Sequence, residues 1–253
     1  MKKLLSIAAM TAMMTTAASA DLIRVEGAVG VWQSDPSGTI SYANNSFDLA
    51  NAAGLESTQN MYVWVYLKHP IPIIPNLRLE YADPSFDGTV TSIEWDGNNY
   101  TNVSNSLSLT QYDAALYYNI LDNLFWMTVD LGLDVKFIDG SYSIAADAGG
   151  LSPAVEQELQ LAMPLLYARG RVQIPVTNIG VEVLARGMSY GGSEIIDAEI
   201  KLDYTMDFVP VVQPGLELGY RYQQLKLDSS DIGVDANLDT SFSGVYAGIM
   251  VRF

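Results

Sequence analysis

From Ile196 to Phe208 the chain alternates apolar and polar residues without a break. Ile196, Ala198, Ile200, Leu202, Tyr204, Met206 and Phe208 share one parity, and Asp197, Glu199, Lys201, Asp203, Thr205 and Asp207 the other. Met127 to Phe137 repeats the pattern, with Val129, Leu131, Leu133 and Val135 against Asp130, Asp134 and Lys136. A period of two marks a strand whose faces meet different surroundings. The clearest stretches run 11–14 residues. That is longer than the about 5–6 usual in globular proteins and close to what a tilted strand needs to cross a bilayer.

The same pattern predicts ten strands, at 22–32, 59–68, 76–82, 106–118, 125–138, 165–174, 179–190, 194–208, 215–226 and 241–253. Long connections (33–58, 83–105, 139–164, 227–240) alternate with short ones (69–75, 119–124, 175–178, 209–214), and only the Gly191-Gly192 turn departs from the rule. The predicted fold is all-β, a closed antiparallel up-and-down transmembrane barrel of about ten strands, with eight as the alternative. Two stretches of the long loops, Ser46–Ala53 and Pro153–Ala162, read as short helices. Proline marks three of the short turns, at Pro72, Pro175 and Pro210, where pairing should stop because proline cannot donate to a ladder.

Residues 1–20 have the parts of a secretory signal: Lys2 and Lys3, the apolar stretch Leu4–Ala17, then Ala18-Ser19-Ala20. Cleavage after Ala20 would leave 21–253 as a single barrel domain. The chain has no cysteine, so thiol chemistry is excluded. At the other end Phe253 is preceded at alternate positions by Val251, Ile249, Ala247 and Val245, with Tyr246 and Gly248 on the opposite parity. This resembles the C-terminal signal read by the barrel-assembly machinery of Gram-negative bacteria. The resemblance implies an outer-membrane protein with periplasmic termini and extracellular long loops. Its partners would be that machinery, outer-membrane lipids and lipopolysaccharide. Gly149-Gly150 and Gly191-Gly192 resemble the paired glycines of the Gly-Gly outer-membrane protein family, whose activity is unassigned and which implies no catalytic residue.

Without the two signal lysines the chain keeps 11 basic and 29 acidic residues. The long loops hold 15 of the acids and no Lys or Arg. Most of the strand bases fall opposite the apolar parity (Arg24, Arg78, Lys136, Arg169, Arg171, Arg186, Lys201, Arg221 and Arg252), and Glu26, Glu80, Asp130, Asp134, Glu182, Asp197, Glu199, Asp203, Asp207 and Glu217 share that face. With the apolar parity in lipid, where an Arg or Lys at midplane costs about 2–4 kcal/mol, these charges point into a narrow lumen. They would form either a structural polar core or a hydrophilic passage whose selectivity they set.

Candidate chemistry is sparse. The one histidine, His69, falls in a short turn beside Pro70, so a histidine-dependent hydrolase is not expected, and a carboxylate pair acting on water has no distinguishing spacing. Asp235-Ala236-Asn237-Leu238-Asp239 begins like a calcium loop. Thr240 and Tyr246 stand where its glycine and closing glutamate belong, so it reads as an acidic loop. No cofactor or metal is expected, and the acidic exterior argues against nucleic acid. Tyr62, Trp64 and Tyr66 form an aromatic row; Tyr62 is assigned to the belt at the lipid boundary, and the side of the other two stays open. The expected function is a structural or narrow-channel barrel rather than an enzyme. The alternative is a surface interaction protein using its acidic loops, and a hydrolase ranks third.

Overall fold

The computed structural model describes residues 23–42, 45–95, 98–124, 126–147, 155–206, 211–232 and 236–253. The expected signal segment, Gly149-Gly150, Asp207 and Pro210 lie outside these. Twelve strands are described: β1 (Arg24–Tyr42), β2 (Asn45–Asp48), β3 (Thr58–Lys68), β4 (Asn76–Ala82), β5 (Ser85–Trp95), β6 (Asn98–Leu124), β7 (Met127–Asp147), β8 (Val155–Gln173), β9 (Ile179–Tyr190), β10 (Ser193–Thr205), β11 (Gln213–Leu227) and β12 (Ala236–Arg252). A single helical turn, α1 (Ser229–Ile232), precedes β12.

All pairings are antiparallel, and the wall runs β12-β11-β10-β9-β8-β7-β6-β4-β3-β1 before β1 closes on β12. β4 and β5 are two halves of one wall strand, both paired to β6. They are parted at Asp83-Pro84, where the Pro84 carbonyl accepts from the Leu109 amide. β2 folds back onto the tip of β1. The barrel therefore has ten wall strands. Its seam extends from Glu26↔Arg252 to Tyr42↔Ala236, and Val25 and Phe253 exchange both backbone hydrogen bonds below it. Closure leaves the bilayer-level wall without an edge whose backbone groups would go unpaired in hydrocarbon.

The outward face is apolar over a band. On β7 it comprises Leu131, Leu133, Val135 and Phe137; on β10 Ile200, Leu202 and Tyr204; on β12 Val245 and Ile249, all exposed. An unbroken apolar girdle on a closed barrel is the surface of a membrane-spanning protein. From Met127 to Phe137, at ~3.3 Å per residue and a tilt near 40°, the strand climbs about 25 Å, the height of a bilayer-facing band.

Beyond this band the strands continue and their polarity reverses. On β6, Leu107 and Leu109 point inward while Ser106 and Ser108 point out. On β7, Ile138, Tyr142 and Ile144 are buried inside and Asp139, Ser141 and Ser143 lie outside. β12 does the same with Leu238 and Phe242 inward against Asp239 and Ser241 outward. One ring of strands is thus polar-cored within the bilayer and apolar-cored beyond it. Phe86 and Phe242 stack there with centroids 5.2 Å apart. Leu49, Ala53 and Leu55, from the β2–β3 connection, pack into the same core. Leu55 bridges Gly88, and a side chain on Gly88 would strike the Gly54 carbonyl, so the close approach of these backbones requires glycine.

Four expectations are corrected. Much of the long loops at 33–58, 83–105, 139–164 and 227–240 is strand, because their alternation continues in the opposite sense. Ser46–Ala53 is the end of β2 plus a turn, and 155–162 of the second supposed helix belongs to β8, with Glu158 and Gln160 outward and Leu159 and Leu161 turned to the core. The turn placed at 119–124 is the end of β6. Finally, 236–239 of the calcium-like segment lies in β12, Asp239 paired with Thr39 and Lys226. Asp235 is outside the described residues.

Candidate functional site: the charged lumen

Strand parity turns Arg78, Glu80, Asp130, Asp134, Lys136, Arg169, Arg171, Glu182, Arg186, Asp197, Glu199, Lys201, Asp203, Glu217 and Arg221 into the lumen; Glu199 is partly covered and the others are buried. Glu26 and Asp113 are buried with them, and Arg24 and Arg252 sit at the terminal end. The residues just named comprise nine bases and ten acids, close to electrical balance. That balance is what burying so much charge requires, since an unpaired ion away from water is costly.

The pairs form tiers. Nearest the termini, Arg252 meets Glu26 at 2.8 Å and Arg171 clasps Asp203, one of its two contacts at 2.8 Å. Gly180 beside them has no side chain, and a Cβ there would collide with the Arg171 guanidinium. In the next tier Arg169 bridges Asp130 at 2.8 Å and Glu182 at 2.6 Å. Lys201 spans Glu182 at 3.1 Å and Glu217 at 3.3 Å. Farther along, Arg186 reaches Glu80 at 2.6 Å, and Arg221 reaches Asp197 at 2.7 Å and Glu80 at 2.9 Å. Lys136 lies between Asp113 at 2.9 Å and Asp197 at 3.1 Å. A Gln111–Gln223 pair at 2.8 Å sits alongside this tier.

Many of these contacts cross the lumen. Glu80 on β4 meets arginines of β9 and β11, and Gln111 on β6 meets Gln223 on the opposite wall. Aromatic rings fill the remaining space. Trp64 lies between the Arg78 guanidinium, 4.7 Å from its centroid, and the Lys201 ammonium at 4.2 Å, and its indole N–H donates to Glu217 at 3.0 Å. Tyr66 stacks on Tyr117 at 5.0 Å and supports Arg169 at 4.4 Å. Cation–π contacts of this kind strengthen when desolvated.

Tyr62 corrects the expectation that it belongs to the lipid belt. It is buried, donates to Glu217 at 2.6 Å and meets Tyr246 edge-on at 5.3 Å. Of the residues at the end of β12, Tyr246 and Gly248 face the lumen side, while Phe253 is exposed. Asp113 escaped the sequence reading. Its signal was parity with Gln111 and Tyr117 against outward Tyr112, Leu116 and Tyr118.

Two features weigh on chemistry. Most lumen carboxylates are committed to cations, Asp113 to Lys136 among them, but neither Asp134 oxygen has a donor at hydrogen-bond distance; the nearest cation to Asp134 is Arg186 Nε at 3.7 Å. A void bounded by Trp32, Tyr62, Trp64, Glu80, Glu199, Arg221 and Tyr246 measures about 10 Å³, the room of one water. His69 lies at the terminal end of the wall as part of its turn. Its Nδ1 accepts from the Ile71 amide at 3.1 Å and its Nε2 is 3.1 Å from the Pro75 carbonyl. Among the described residues no group of three or more His, Asp or Glu is placed to hold a metal ion.

No family model matches the chain, and no curated protein matches it in sequence. Solved structures do resemble it. The outer membrane protease OmpT of Escherichia coli aligns at a TM-score of 0.47 and 10% identity over 91% of this chain and 97% of that one. The translocator domain of the autotransporter NalP of Neisseria meningitidis gives 0.45 and 13% over 100% and 98%. Ail, the attachment invasion locus protein of Yersinia pestis, gives 0.36 and 8% over 92% and 99%.

Proposed function

We propose that the protein is an outer-membrane barrel whose lumen is shut by its own ion pairs, a structural membrane component rather than a pore or an enzyme. The observation that carries this reading is the cross-lumen tier of Glu80, Arg186, Arg221 and Asp197, buried and joined at 2.6–3.3 Å. A solute would have to break several buried charge pairs at once, and removing one partner of such a pair costs about 3–5 kcal/mol. The lone histidine is occupied in a turn, and most lumen carboxylates are tied to cations, which leaves little to activate water. The test is single-channel recording of the refolded protein in planar bilayers. The expected result is no steady conductance, and a steady open level in the wild type would overturn the reading.

The extension beyond the bilayer favours a second reading, as a surface on which an external partner docks. Its outward face carries Asp35, Asp87, Asp139, Glu158 and Asp239, and strands rather than floppy loops display them. Binding of a cationic partner that is lost when these positions are neutralised would support it.

A further inference from the structure

At its terminal end the wall has five junctions, the β3–β4, β6–β7, β8–β9 and β10–β11 turns and the β12–β1 seam. Each presents a large apolar side chain outside the core. Ile73, Val176 and Val211 are exposed at three of the turns, Trp126 is half-buried at the fourth, and Ile23 and Phe253 are exposed at the seam. Residues 69–75, 174–178 and 211–214 contain no Asp, Glu, Lys or Arg. Val176 is the sharpest case. It is fully exposed and holds φ at +66°, in the left-handed region where a β-branched residue is an outlier. Turn chemistry in water favours glycine or asparagine there. A valine that breaks the local preference and packs on nothing in its own chain gains from something outside it.

The turns are also built to need little water. Six of the ten prolines lie in 69–75, 174–178 and 209–214, and each deletes a backbone donor. At the β8–β9 turn the Thr177 amide and hydroxyl both donate to the Ile174 carbonyl, at 3.2 and 2.8 Å, and Gln173 Nε2 donates to the Thr177 carbonyl at 3.1 Å. At the β3–β4 turn the Ile71 amide donates to His69 Nδ1 at 3.1 Å. The Ile73 carbonyl accepts from the Tyr118 hydroxyl at 3.0 Å. Tyr118 is an outward residue of β6, so this bond holds the turn against the girdle face of the wall.

We propose that these tips sit in the interfacial zone of a phospholipid leaflet, among the glycerol groups and the first methylenes, and not in water. The occupant follows from the arrangement. A docked protein meets one sector of a rim, whereas a leaflet surrounds it, and the apolar tips occur at every junction of the ring. They also continue the girdle, whose terminal edge on β7 is Met127, and Trp126 beside it is the residue type favoured at such a boundary. Pairing of turn polar groups within the chain is what a zone poor in water demands. With the termini periplasmic, the leaflet in question is the inner one, made of phospholipid. The proposal rests on the bilayer reading of the girdle and does not depend on whether the lumen is shut.

The chain has no cysteine, so single cysteines can carry a nitroxide label. Ile73→Cys, Val176→Cys and Val211→Cys are read in vesicles of phosphatidylethanolamine and phosphatidylglycerol in equal parts. The references are Leu133→Cys in the girdle and Ser104→Cys, exposed on the outward face of the extension. Collision with oxygen, which concentrates in hydrocarbon, is compared with collision with a water-soluble nickel chelate supplied on both sides of the membrane. The tip labels should meet the chelate roughly tenfold less than the label at 104, the exclusion of a polar solute from the interface, and should meet oxygen more. Chelate access at the tips equal to that at 104 overturns the proposal. Shielding from both reagents also overturns it, because the tips would then be packed on a second copy of the chain. Folding is scored by gel shift, and each tip reports alone, so a variant that does not fold leaves the other two to decide. Chelate access at 133 equal to that at 104 would instead strike the membrane reading.

Discussion

Glu80 and Arg221 meet across the lumen with 2.9 Å between Oε1 and Nη1, although β4 and β11 stand four places apart in a ring of ten strands. Such a contact exists only because two inward side chains suffice to bridge the interior. Glu80 also meets Arg186 at 2.6 Å, so one carboxylate ties β4 to both β9 and β11. Where backbone ladders join each strand only to its neighbours, these pairs brace the ring across its diameter.

The bracing predicts that the carboxylates are unequal. Asp197 takes hydrogen bonds from Arg221, Arg186, Lys136 and Gln223. Asp197→Asn should leave those cations short of charge and cost about 3–5 kcal/mol, read from the urea midpoint of the refolded barrel. Asp134, equally buried, has no hydrogen-bond partner on either oxygen. Asp134→Asn should stay within about 1 kcal/mol of wild type or gain, because the amide has less hydration to forfeit. Equal losses at the two sites would contradict the network as drawn.

Arg186 and Arg221 together should hold the lumen closed. Their guanidinium groups fill the same tier and share Glu80, Asp197 and Glu199 as partners. Truncating both to Ala removes two large side chains and leaves three carboxylates facing the gap. Conductance in planar bilayers should then appear, favouring cations, with stability reduced by several kcal/mol relative to wild type, about the cost of uncompensated buried charge. A silent double variant that still folds would place the block elsewhere.

The extension beyond the membrane should unfold separately from the belt when its core is opened. Phe242 is fully buried and stacks on Phe86. Phe242→Ala should cost about 3–5 kcal/mol. Limited proteolysis ought to cut the far-end strands first while the bilayer-level wall stays protected. Uniform resistance identical to wild type would mean that the stack carries no weight.

The bilayer half of the fold is legible in sequence because lipid enforces one rule: apolar out, polar in. Along 196–205 each residue obeys it, and parity alone assigns Asp197, Glu199, Lys201 and Asp203 to the side they occupy. The extension obeys the reverse rule, so Leu107, Leu109 and Ile138 stand inside where the belt would place them outside. A search for one sense of alternation reads the other as loop, which is why 33–42, 98–105, 139–147 and 236–240 were missed as strands. Tyr62 was misplaced for a related reason. Aromatic residues suit both a lipid boundary and a charged interior, and only the inward carboxylate Glu217, 155 residues away in sequence, decides between them. Cross-lumen partners carry no local signal at all.

The reversal of polarity can itself be put to the test on a single strand. Leu133 and Ser143 lie on the same outward face of β7, ten residues apart, and in the structure Leu133 is flanked by the apolar Leu131 and Val135 while Ser143 sits above Asp139 and Ser141. If the band from Met127 to Phe137 is what lipid covers, an arginine at 133 falls near midplane and should cost about 2–4 kcal/mol, whereas one at 143 stands in water and should cost about 0–1 kcal/mol. Neither substitution touches the lumen, so the ion-pair network serves as an internal constant. Urea titrations of both variants in lipid vesicles give the comparison directly. The arginine at 143 also sits beside Ser106 in register, on a wall rich in carboxylates, so any electrostatic bias is toward a smaller cost. Equal penalties at both positions would mean that the bilayer reaches well past Phe137, and the apolar-cored extension would then have to lie inside the membrane, where its outward Asp139 and Glu158 have no physical reason to be.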